Sequence, residues 1–536
     1  MKQFILLLAF SLLDFAPVVF GQVVDTIHQP VIQTGNRFVN SKKLSVRNTI
    51  PPVKLDPQQV AAQKKWDISL VAHGIHHGNA VPKNLTDSIK LAGSLLLHSD
   101  SFFNEEVDPV ESNFRGPTDI NPVVNSSFKG NPYNFFVPAD NSLAVSDDGF
   151  VVSAINSNLL FTDVNGNVLQ QASFDDFLAV LDLHGSYFDP RVIYDPVEDK
   201  FILVVLNGNT PATSRIIICF SSSSNPTATW WIYVYSGNPA GTNVWTDYPS
   251  IGISTKDLYI SGNQFTADNN FSQCLIYQLK KGPGFVGGEV NGTTFYDVRD
   301  AYGLPDFTVL PVSFGFDGSI GPGIYLVSTD SGGGSEAMMY YTDNDAENNP
   351  NLVVHAVQIQ NYYIPFNGLM LGSNEELKTN DCKVQSGYYA DGIIHFVLDS
   401  RGNDFHTKVY YCRLNTNDLT NTSVEIGLQP FEYAFPSIAP FSNNVTDRTS
   451  LIGFLRTSSA IYPEFRTIAV DNDMNYTSSV LIKAGETFIS QEATNQERWG
   501  DYSGISKRHS ATGAEVWISG CYGEDNDNGN TNLLGT

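Results

Sequence analysis

The chain has 536 residues, of which 56 are acidic and 31 are Lys or Arg, and its formal charge at pH 7 is −25. A charge of this sign repels nucleic-acid phosphates and anionic lipid surfaces, so neither is an expected partner. Hydrophobic residues make up 42% of the chain, while 43 Gly and 27 Pro supply the turns that short strands need.

The N-terminus has the layout of a secretory signal peptide. Lys2 provides a basic start, Phe4–Leu13 is a short apolar run, and Gly21 is a small residue at a cleavage position before Gln22. No later segment has the roughly 20 apolar residues of a spanning helix. We therefore expect residues 1–21 to be removed, giving an exported protein that is secreted or held at the cell surface, with no membrane insertion.

Residues 22–131 have a weak pattern of scattered Pro and polar runs. Two helical segments are predicted in them, around Asp56–Trp66 and Thr86–Leu97. We interpret this region as an N-terminal extension that packs against, or leads into, a main domain that occupies residues 132–536. The last residues read as the approach to another strand, as expected for a fragment of a longer protein.

From residue 132 onward, short strand-like runs alternate with turns. Gly149–Ile155 and Leu159–Leu169 read as strands with an Asn-Gly hairpin. Phe201–Leu206, Arg215–Phe220 and Trp230–Tyr235 then belong to a second unit of four strands. Five similar units follow, which predicts seven in all.

A sheet of this size cannot bury both of its faces alone, and stacking such sheets around an axis supplies the missing partner surfaces. The predicted fold class is therefore all-β, a β-propeller of seven four-stranded blades that is preceded by an irregular N-terminal extension. Six or eight blades, or a pair of β-sandwiches, are the alternatives.

Short aromatic and turn signatures recur along the predicted propeller. They are Pro138–Val145, Phe188–Asp195, Asp247–Gly252, Phe435–Ala439 and Glu497–Gly504. In this order they resemble the landmarks of large secreted bacterial β-propeller proteins, most of them uncharacterised and some with a type IX secretion sorting domain. The resemblance covers about Pro138 to Cys521 and implies a propeller and export, but no activity. No sorting domain is visible in this chain.

Two signatures combine cations, aromatic rings and carboxylates, the mixture that binds sugars by stacking and hydrogen bonds. The candidate ligand-binding residues are Arg498, Trp499, Asp501 and Tyr502 in one signature and Asp189 and Arg191 in the other. The alternative is structural: the rings form core between blades, and the charged groups fix turns.

Acidic residues at alternate positions resemble the oxygen ligands of Ca²⁺ loops. They are Asp343, Asp345 and Glu347 in one stretch and Asp471 and Asp473 in another. Neither stretch has the full EF-hand spacing, and plain acidic turns are the alternative. No cofactor is required by the sequence, and Ca²⁺ is the one candidate.

Five cysteines are few for this length, so the fold does not depend on a disulfide framework. Cys382 and Cys412 fall in one repeat and are the candidate disulfide pair. The alternative is that the cysteines are small buried hydrophobes in strands.

The sequence has no nucleophile elbow, phosphate loop, zinc-protease helix or paired Cys-x-x-Cys unit. The leading hypothesis is a secreted, non-enzymatic propeller that binds an extracellular glycan or protein through loops at one face. One alternative is a carbohydrate-active hydrolase or lyase, which would need two carboxylates about 5 to 10 Å apart near the propeller axis. Another is a structural surface or adhesin module, since propellers serve all three purposes.

Overall fold

The computed structural model describes residues 37–38, 41–60, 73–74, 83–97, 120–133, 136–317, 320–492, 495–526 and 530–535. The chain divides into two compact units, Met1–Arg37 and Phe38–Thr536. Of the first unit only Arg37 is described, so the fold given below is that of the second. The predicted signal peptide lies outside the described residues.

Antiparallel sheets follow one another along the chain from Ser142, and in each sheet strands that are consecutive in sequence are hydrogen-bonded. We number these sheets as blades. The strands of blade 1 are β6 (Ser142–Val145), β7 (Phe150–Ile155), β8 (Asn158–Asp163) and β9 (Val168–Ser173); those of blade 2 are β10 (Tyr187–Asp195), β11 (Lys200–Asn207), β12 (Arg215–Ser221) and β13 (Trp230–Ser236); those of blade 3 are β14 (Val244–Ile253), β15 (Asp257–Thr266), β16 (Phe271–Lys280) and β17 (Asn291–Tyr296).

Blades 4 to 6 repeat the same meander of four strands. The strands of blade 4 are β18 (Leu310–Val312), β19 (Tyr325–Thr329), β20 (Gly333–Thr342) and β21 (Leu352–Tyr363); those of blade 5 are β24 (Ser386–Ala390), β25 (Ile393–Arg401), β26 (Thr407–Asn415) and β27 (Asn421–Ile426); those of blade 6 are β28 (Glu432–Pro440), β29 (Ser450–Ser458), β30 (Ile461–Val470) and β31 (Val480–Lys483).

Blade 7 has two described strands, β33 (Gly504–Lys507) and β34 (Val516–Ser519), where the sequence predicted four. A separate hairpin of β35 (Tyr522–Asn526) and β36 (Asn530–Gly535) follows, and β35 contacts β30 of blade 6. The first strands of successive blades contact one another, and β33 contacts both β28 and β6. The ring is therefore closed, which confirms the predicted seven-bladed propeller but with a smaller seventh blade.

Segments of the N-terminal extension add strands to the outer edges of blades 2 and 3, which the sequence did not predict. Strand β2 (Lys42–Arg47) pairs antiparallel with β17, and β3 (Val53–Leu55) pairs antiparallel with β13. Blades 2 and 3 therefore have five strands each among the described residues. Exposed and half-buried residues alternate along β2 after its first residue, as expected for a strand with one face on the protein.

The other described elements are short, apart from one helix. They are the strands β1 (Arg37–Phe38), β4 (His73–Gly74), β5 (Phe136–Val137), β22 (Gly368–Leu369), β23 (Glu376–Leu377) and β32 (Gln496–Glu497), the helices α1 (Lys83–Leu97) and α2 (Phe174–Phe177), and the 3-10 turns Pro57–Gln59, Ala179–Leu181 and Gly282–Val286. Helix α1 covers the predicted segment Thr86–Leu97. In the part of the chain that the structure describes, no helix is long and apolar enough to cross a membrane.

Apolar side chains on both faces of a sheet join neighbouring blades. In β11, Leu203 and Val205 belong to the core between blades 1 and 2, whereas Ile202, Val204 and Leu206 belong to the core between blades 2 and 3. Successive side chains of a strand point to opposite faces, so a sheet that is buried on both faces needs an unbroken apolar run. This requirement explains why Phe201–Leu206 has no polar residue.

Three signatures form β-bulges near the start of a blade's first strand. The strand register shifts within β10, β14 and β28, and a residue at each shift has a positive φ, of 54° at Asp189, 50° at Tyr248 and 53° at Phe435. The left-handed conformation costs an L-residue roughly 1–2 kcal/mol. The bulge leaves a backbone N–H outside the strand ladder, so this group needs another partner.

A buried side chain of the preceding blade accepts each of these N–H groups. Asp189 N donates to Asn156 Oδ1 at 2.7 Å, and Tyr248 N donates to Asp189 Oδ2 at 3.0 Å. Phe435 N donates to Asp399 Oδ2 at 3.2 Å. Comparable bonds at two further junctions run from Thr308 N to Asn263 Oδ1 and from Asp501 N to Asp140 Oδ1. We call these five bonds the junction bonds.

The substitution Asn156→Ala tests the junction bonds. Asn156 is buried and also donates to Pro138 O and Asp140 Oδ2. We expect the free energy of unfolding to fall by about 2–4 kcal/mol, because each buried polar group left without a partner costs roughly 1–3 kcal/mol. Urea unfolding measures the change, with Asn165→Ala in an exposed turn as the control. An unchanged midpoint for Asn156→Ala would contradict a structural role of these bonds.

Candidate functional site

The signatures of blades 2, 3 and 7 meet on the propeller axis. The guanidinium of Arg191 lies 3.3 Å from the ring centroid of Tyr502 and 5.3 Å from that of Tyr248. Arg191 Nε donates to Pro249 O at 2.8 Å, and Tyr502 Oη donates to Pro190 O at 3.0 Å. A cation between two aromatic rings is stabilised by the negative faces of the rings, so these blades are held together across the axis.

Lys383, in the segment before blade 5, completes this group. Its Nζ lies 4.8 Å from the ring centroid of Tyr248 and 3.2 Å from Asp381 Oδ1. Burial disfavours the charged ammonium, but Asp381, Tyr248 and Asp501 outweigh it and raise the pKa of Lys383. We call Arg191, Tyr248, Lys383 and Tyr502 the axial plug.

The aromatic residues predicted to stack on sugars lie inside the protein. Trp499 is 0% exposed and Tyr502 is 2% exposed. Trp499 Nε1 donates to Lys378 O at 2.8 Å, and its ring packs edge-on against Phe435. In this arrangement neither ring has an open face for a sugar.

The charged residues of the same signatures are bonded within the fold. Arg498 Nη2 lies 2.6 Å from Asp501 Oδ2, and Asp189 is fully buried with Tyr248 N as a donor. The structure thus brings together the six residues that the sequence singled out, at one end of the axis and in contact with other blades. This geometry matches the structural alternative, and ligand binding by these residues stays a prediction.

The acidic residues predicted as Ca²⁺ ligands are bonded to nearby groups. Asp343 accepts from Asn351 N, Asp345 pairs with Lys256, Glu347 pairs with Lys280, and Asp471 accepts from the backbone N–H groups of Asp473 and Asn475. Within the described ranges, no group of three or more His, Cys, Asp or Glu side chains could hold a metal ion. Ca²⁺ binding stays a prediction from the sequence.

The cysteines are all buried free thiols, so the predicted Cys382–Cys412 disulfide is not formed. Both side chains lie in the apolar core that joins blades 4 and 5. Burial raises the pKa of Cys412 to about 12, which disfavours thiolate chemistry. The cysteines therefore occupy the positions that the alternative interpretation gave them, as small hydrophobes.

A cavity of about 200 Å³ lies on the axis and is lined by residues from all seven blades. Arg191, near the start of β10, belongs to its wall, as do Lys507, at the end of β33, and His509. Its other polar lining is mainly serine. None of the described residues that line it is Asp or Glu.

A larger cavity of about 830 Å³, which we call the cleft, lies beside blade 7. Blade 1 and blade 6 form its sides, β34 also lines it, and residues 121–130 run along it. Most of its lining side chains are apolar, among them Leu160, Phe465 and Ile518. In blades 1 to 6 a third and a fourth strand follow the second strand. The cleft is therefore the space that blade 7 leaves between its neighbours.

Polar groups without partners line the cleft. The hydroxyl of Thr162, which is 2% exposed, and that of Ser519 have no hydrogen-bond partner in the described structure. Strand β34 pairs with β33, and its other edge has no strand partner among the described residues. The ring centroid of Trp517 lies 5.9 Å from that of Phe128, which belongs to the segment 121–130 that runs along the cleft. The cleft thus combines an apolar wall with a strand edge that can accept hydrogen bonds from another strand.

Two further ionisable groups lie near the axial plug, the half-buried Lys90 and the fully buried Asp399. Burial lowers the pKa of Lys90 on α1 to about 8, although Asp381 and Asp399 oppose this effect. Lys90 Nζ donates to Asn367 Oδ1 at 3.1 Å. Burial raises the pKa of Asp399 to about 8, even though Asp399 Oδ2 accepts from Gln385 Nε2 at 2.6 Å.

No family model and no curated protein matches this chain. Among similar solved structures is a Trypanosoma rangeli sialidase in complex with 2,3-difluorosialic acid, with 10% identity and a TM-score of 0.32 over 71% of this chain and 56% of the sialidase. The WD40 domain of SCAP from fission yeast has 10% identity and a TM-score of 0.30 over 72% of this chain and 85% of that domain. A Synechocystis apocarotenoid oxygenase has 9% identity and a TM-score of 0.34 over 68% of this chain and 78% of the oxygenase. The match thus spans little more than half of the sialidase. At these scores the propeller assignment rests on the strand topology.

Sequence reasoning missed Lys383, Asp399 and the cleft. Lys383 has no aromatic neighbour in sequence, because its partner Tyr248 comes from another blade. Asp399 was not singled out because, in the sequence, it is a polar residue near the end of an apolar strand. The cleft lies where blade 7 has two strands among the described residues, and the sequence signal for it is the shortage of apolar runs after Tyr502.

The raised pKa of Asp399 predicts how stability depends on pH. The folded protein keeps a proton on Asp399 up to about pH 8, whereas the unfolded chain releases it near pH 4. Between these values the folded state binds more protons, so stability falls as pH rises through this window. Asp257 and Glu497, with pKa values raised by burial to about 6 and about 7, act in the same direction.

The substitution Asp399→Asn mimics the protonated acid and keeps an oxygen that can accept from Phe435 N. We expect it to make the decline of stability between pH 6 and pH 8 shallower and to raise stability at pH 8. Denaturant unfolding across the pH series measures this, with Asp418→Asn on an exposed turn as the control. The same slope in Asp399→Asn and the unsubstituted protein would show that Asp399 is ionised in the fold.

Proposed function

We propose that this protein is an exported binding protein whose partner contributes an extended polypeptide segment to the cleft beside blade 7. The observation that carries the proposal is the edge of β34 that has no strand partner among the described residues and lies on a largely apolar cavity of about 830 Å³. Cavities of about 300–1,000 Å³ are typical of sites that bind ligands.

Strand addition explains how such a segment would bind. An extended peptide beside Val516–Ser519 would form main-chain hydrogen bonds with the free edge of β34. Its alternate side chains would face the apolar walls formed by blades 1 and 6. The hydroxyls of Thr162 and Ser519 would supply further hydrogen bonds. The partner segment should therefore have apolar residues at every second position.

The charges along the cleft favour apolar over electrostatic recognition. Three cations line it, and each pairs with a carboxylate: Lys129 with Glu524, Lys483 with Glu486, and Arg508 with Glu515. Paired surface charges contribute little to binding. A strongly charged partner would gain no counter-charge there.

The other candidate functions have less support from the geometry. A glycan would need open aromatic faces, whereas Trp499 and Tyr502 are buried. A hydrolase with acids on the axis would need carboxylates in the axial cavity, and no described residue of its lining is acidic. A structural surface module makes no use of an open strand edge, which invites aggregation unless it is covered.

The full chain should select peptides from a library of random phage-displayed dodecapeptides. We expect the selected sequences to share apolar residues at alternate positions. Trp517→Ala, in the cleft, should weaken a selected peptide at least tenfold in calorimetry. Trp231→Ala, a half-buried tryptophan of β13 outside the cleft, should leave the affinity unchanged.

N-methylation of the peptide separates strand pairing from general apolar burial. Methyl groups on the amides that face β34 should abolish binding, and methyl groups on the alternate amides should not. A glycan array screened in parallel should stay silent. Glycan binding without peptide selection, or equal losses for Trp517→Ala and Trp231→Ala, would overturn the proposal.

Export is tested at the N-terminus. When the full gene product is expressed in a host with a secretory pathway, intact-mass analysis of the medium should find a chain that begins at Gln22. Replacing Leu6, Leu7 and Leu8 with Asp should keep the protein inside the cell, because the apolar run is lost. Retention of Met1 on the unsubstituted protein would rule out this cleavage.

A further inference from the structure

Four serine side chains around the axial cavity bond to neighbouring blades in the same way. Each hydroxyl oxygen accepts a backbone N–H from a first strand next to its own. The bonds run from Val192 N to Ser142 Oγ at 2.9 Å, from Ile253 N to Ser313 Oγ at 2.9 Å, from Ile438 N to Ser386 Oγ at 3.1 Å and from Val145 N to Ser506 Oγ at 3.2 Å.

This pattern leaves the hydroxyl protons of the serines available. A serine oxygen can accept two hydrogen bonds and donate one, and these four oxygens act as acceptors in the bonds above. None of the four hydroxyls donates a hydrogen bond to another group of the described structure. All four serines line the cavity, so their protons can be donated to whatever occupies it.

Arg191, Lys507 and His509 in the same wall lack acidic partners in the described structure, and burial lowers the pKa of His509 to about 4, so that its ring is neutral at pH 7. Arg191 Nη2 and His509 Nδ1 are buried and have no hydrogen-bond partner in the described structure. Lys507 is 5% exposed, and its Nζ donates to two neutral groups, Ser442 O at 2.8 Å and Asn443 Oδ1 at 2.6 Å.

No ion pair involves Lys507 within the described ranges, and the nearby carboxylate that affects it is Asp317, at the protein surface. Burial lowers the pKa of Lys507 to about 8. A buried ammonium without a counter-charge is costly, and an anion in the cavity would lower that cost.

We propose that the axial cavity binds one small oxyanion, a carboxylate, sulfate or phosphate group, between Arg191 and Lys507, with the serine hydroxyls as donors. The proposal is independent of the cleft, because the two cavities share only Leu143 in their linings. A cavity of about 200 Å³ has room for a tetrahedral or planar oxyanion with a few waters, since one water occupies roughly 30 Å³. The axial plug lies at the Arg191 end, so we expect the ion to enter past Lys507 and His509.

Calorimetry and thermal unfolding of the full chain with sulfate, phosphate and acetate test this proposal, with chloride at equal ionic strength as the reference. We expect one-site saturation and a rise in Tm for at least one oxyanion. Saturation by sulfate or phosphate alone would identify an inorganic oxyanion, and saturation by acetate would identify a carboxylate. Equal effects of all four salts would overturn the proposal.

The variant Lys507→Met separates binding from a structural role. It should lower oxyanion affinity at least tenfold and, in oxyanion-free buffer, raise Tm, because it removes a buried charge while keeping the apolar stem. Lys54→Met, which removes the same charge from an exposed position, should change neither. Unchanged oxyanion affinity in Lys507→Met would overturn the proposal.

Crystals of the unsubstituted protein soaked in selenate give a measurement that does not depend on any variant folding. An anomalous peak on the axis among the four serines is expected. A cavity without such a peak at a concentration that saturates the calorimetric site would also overturn the proposal.

Discussion

Closure of the ring depends on how the blades satisfy the backbone groups that their bulges release. A positive φ at Asp189, Tyr248 or Phe435 is unfavourable by itself, and a buried N–H without a partner would add to that cost. The junction bonds offset both, because an oxygen on one blade accepts the N–H of the next. The junction bonds thereby fix the register of neighbouring blades.

The axial plug adds contacts between blades that are not neighbours in the ring. Arg191 of blade 2 lies on Tyr502 in the segment just before blade 7, and Lys383 before blade 5 lies over Tyr248 of blade 3. A planar guanidinium can stack on a ring and still donate from its edge, as Arg191 Nε does to Pro249 O, which an ammonium cannot do in the same way. The signatures therefore mix aromatic and charged residues for a structural reason, although the same mixture is typical of sugar-binding sites.

The propeller could be predicted from the sequence because the apolar runs that produce it are short segments of consecutive residues. A sheet buried on both faces needs continuous apolar runs such as Phe201–Leu206, and such runs separated by turns are visible along the chain. The outer strand Lys42–Arg47 could not be predicted in the same way, since its stability comes from pairing with Asn291–Tyr296, far along the chain. The candidate site residues were found together for a similar reason. Their chemistry was visible in the sequence, but their burial, which depends on other blades, was not.

The smaller seventh blade is compatible with a closed ring because the first strands of the blades close it. Contacts between first strands close the ring, and β33 alone reaches both β28 and β6. The outer strands of a blade add apolar core between neighbours but are not needed for that contact. A blade with two described strands can therefore take its place in the ring without opening the axis. Among the described residues the second strand of blade 7 has an unpaired edge beside the apolar wall of the cleft, whereas a third and a fourth strand follow the second in the other six blades. A partner strand at that edge, as proposed above, would therefore leave the contacts that close the ring unchanged.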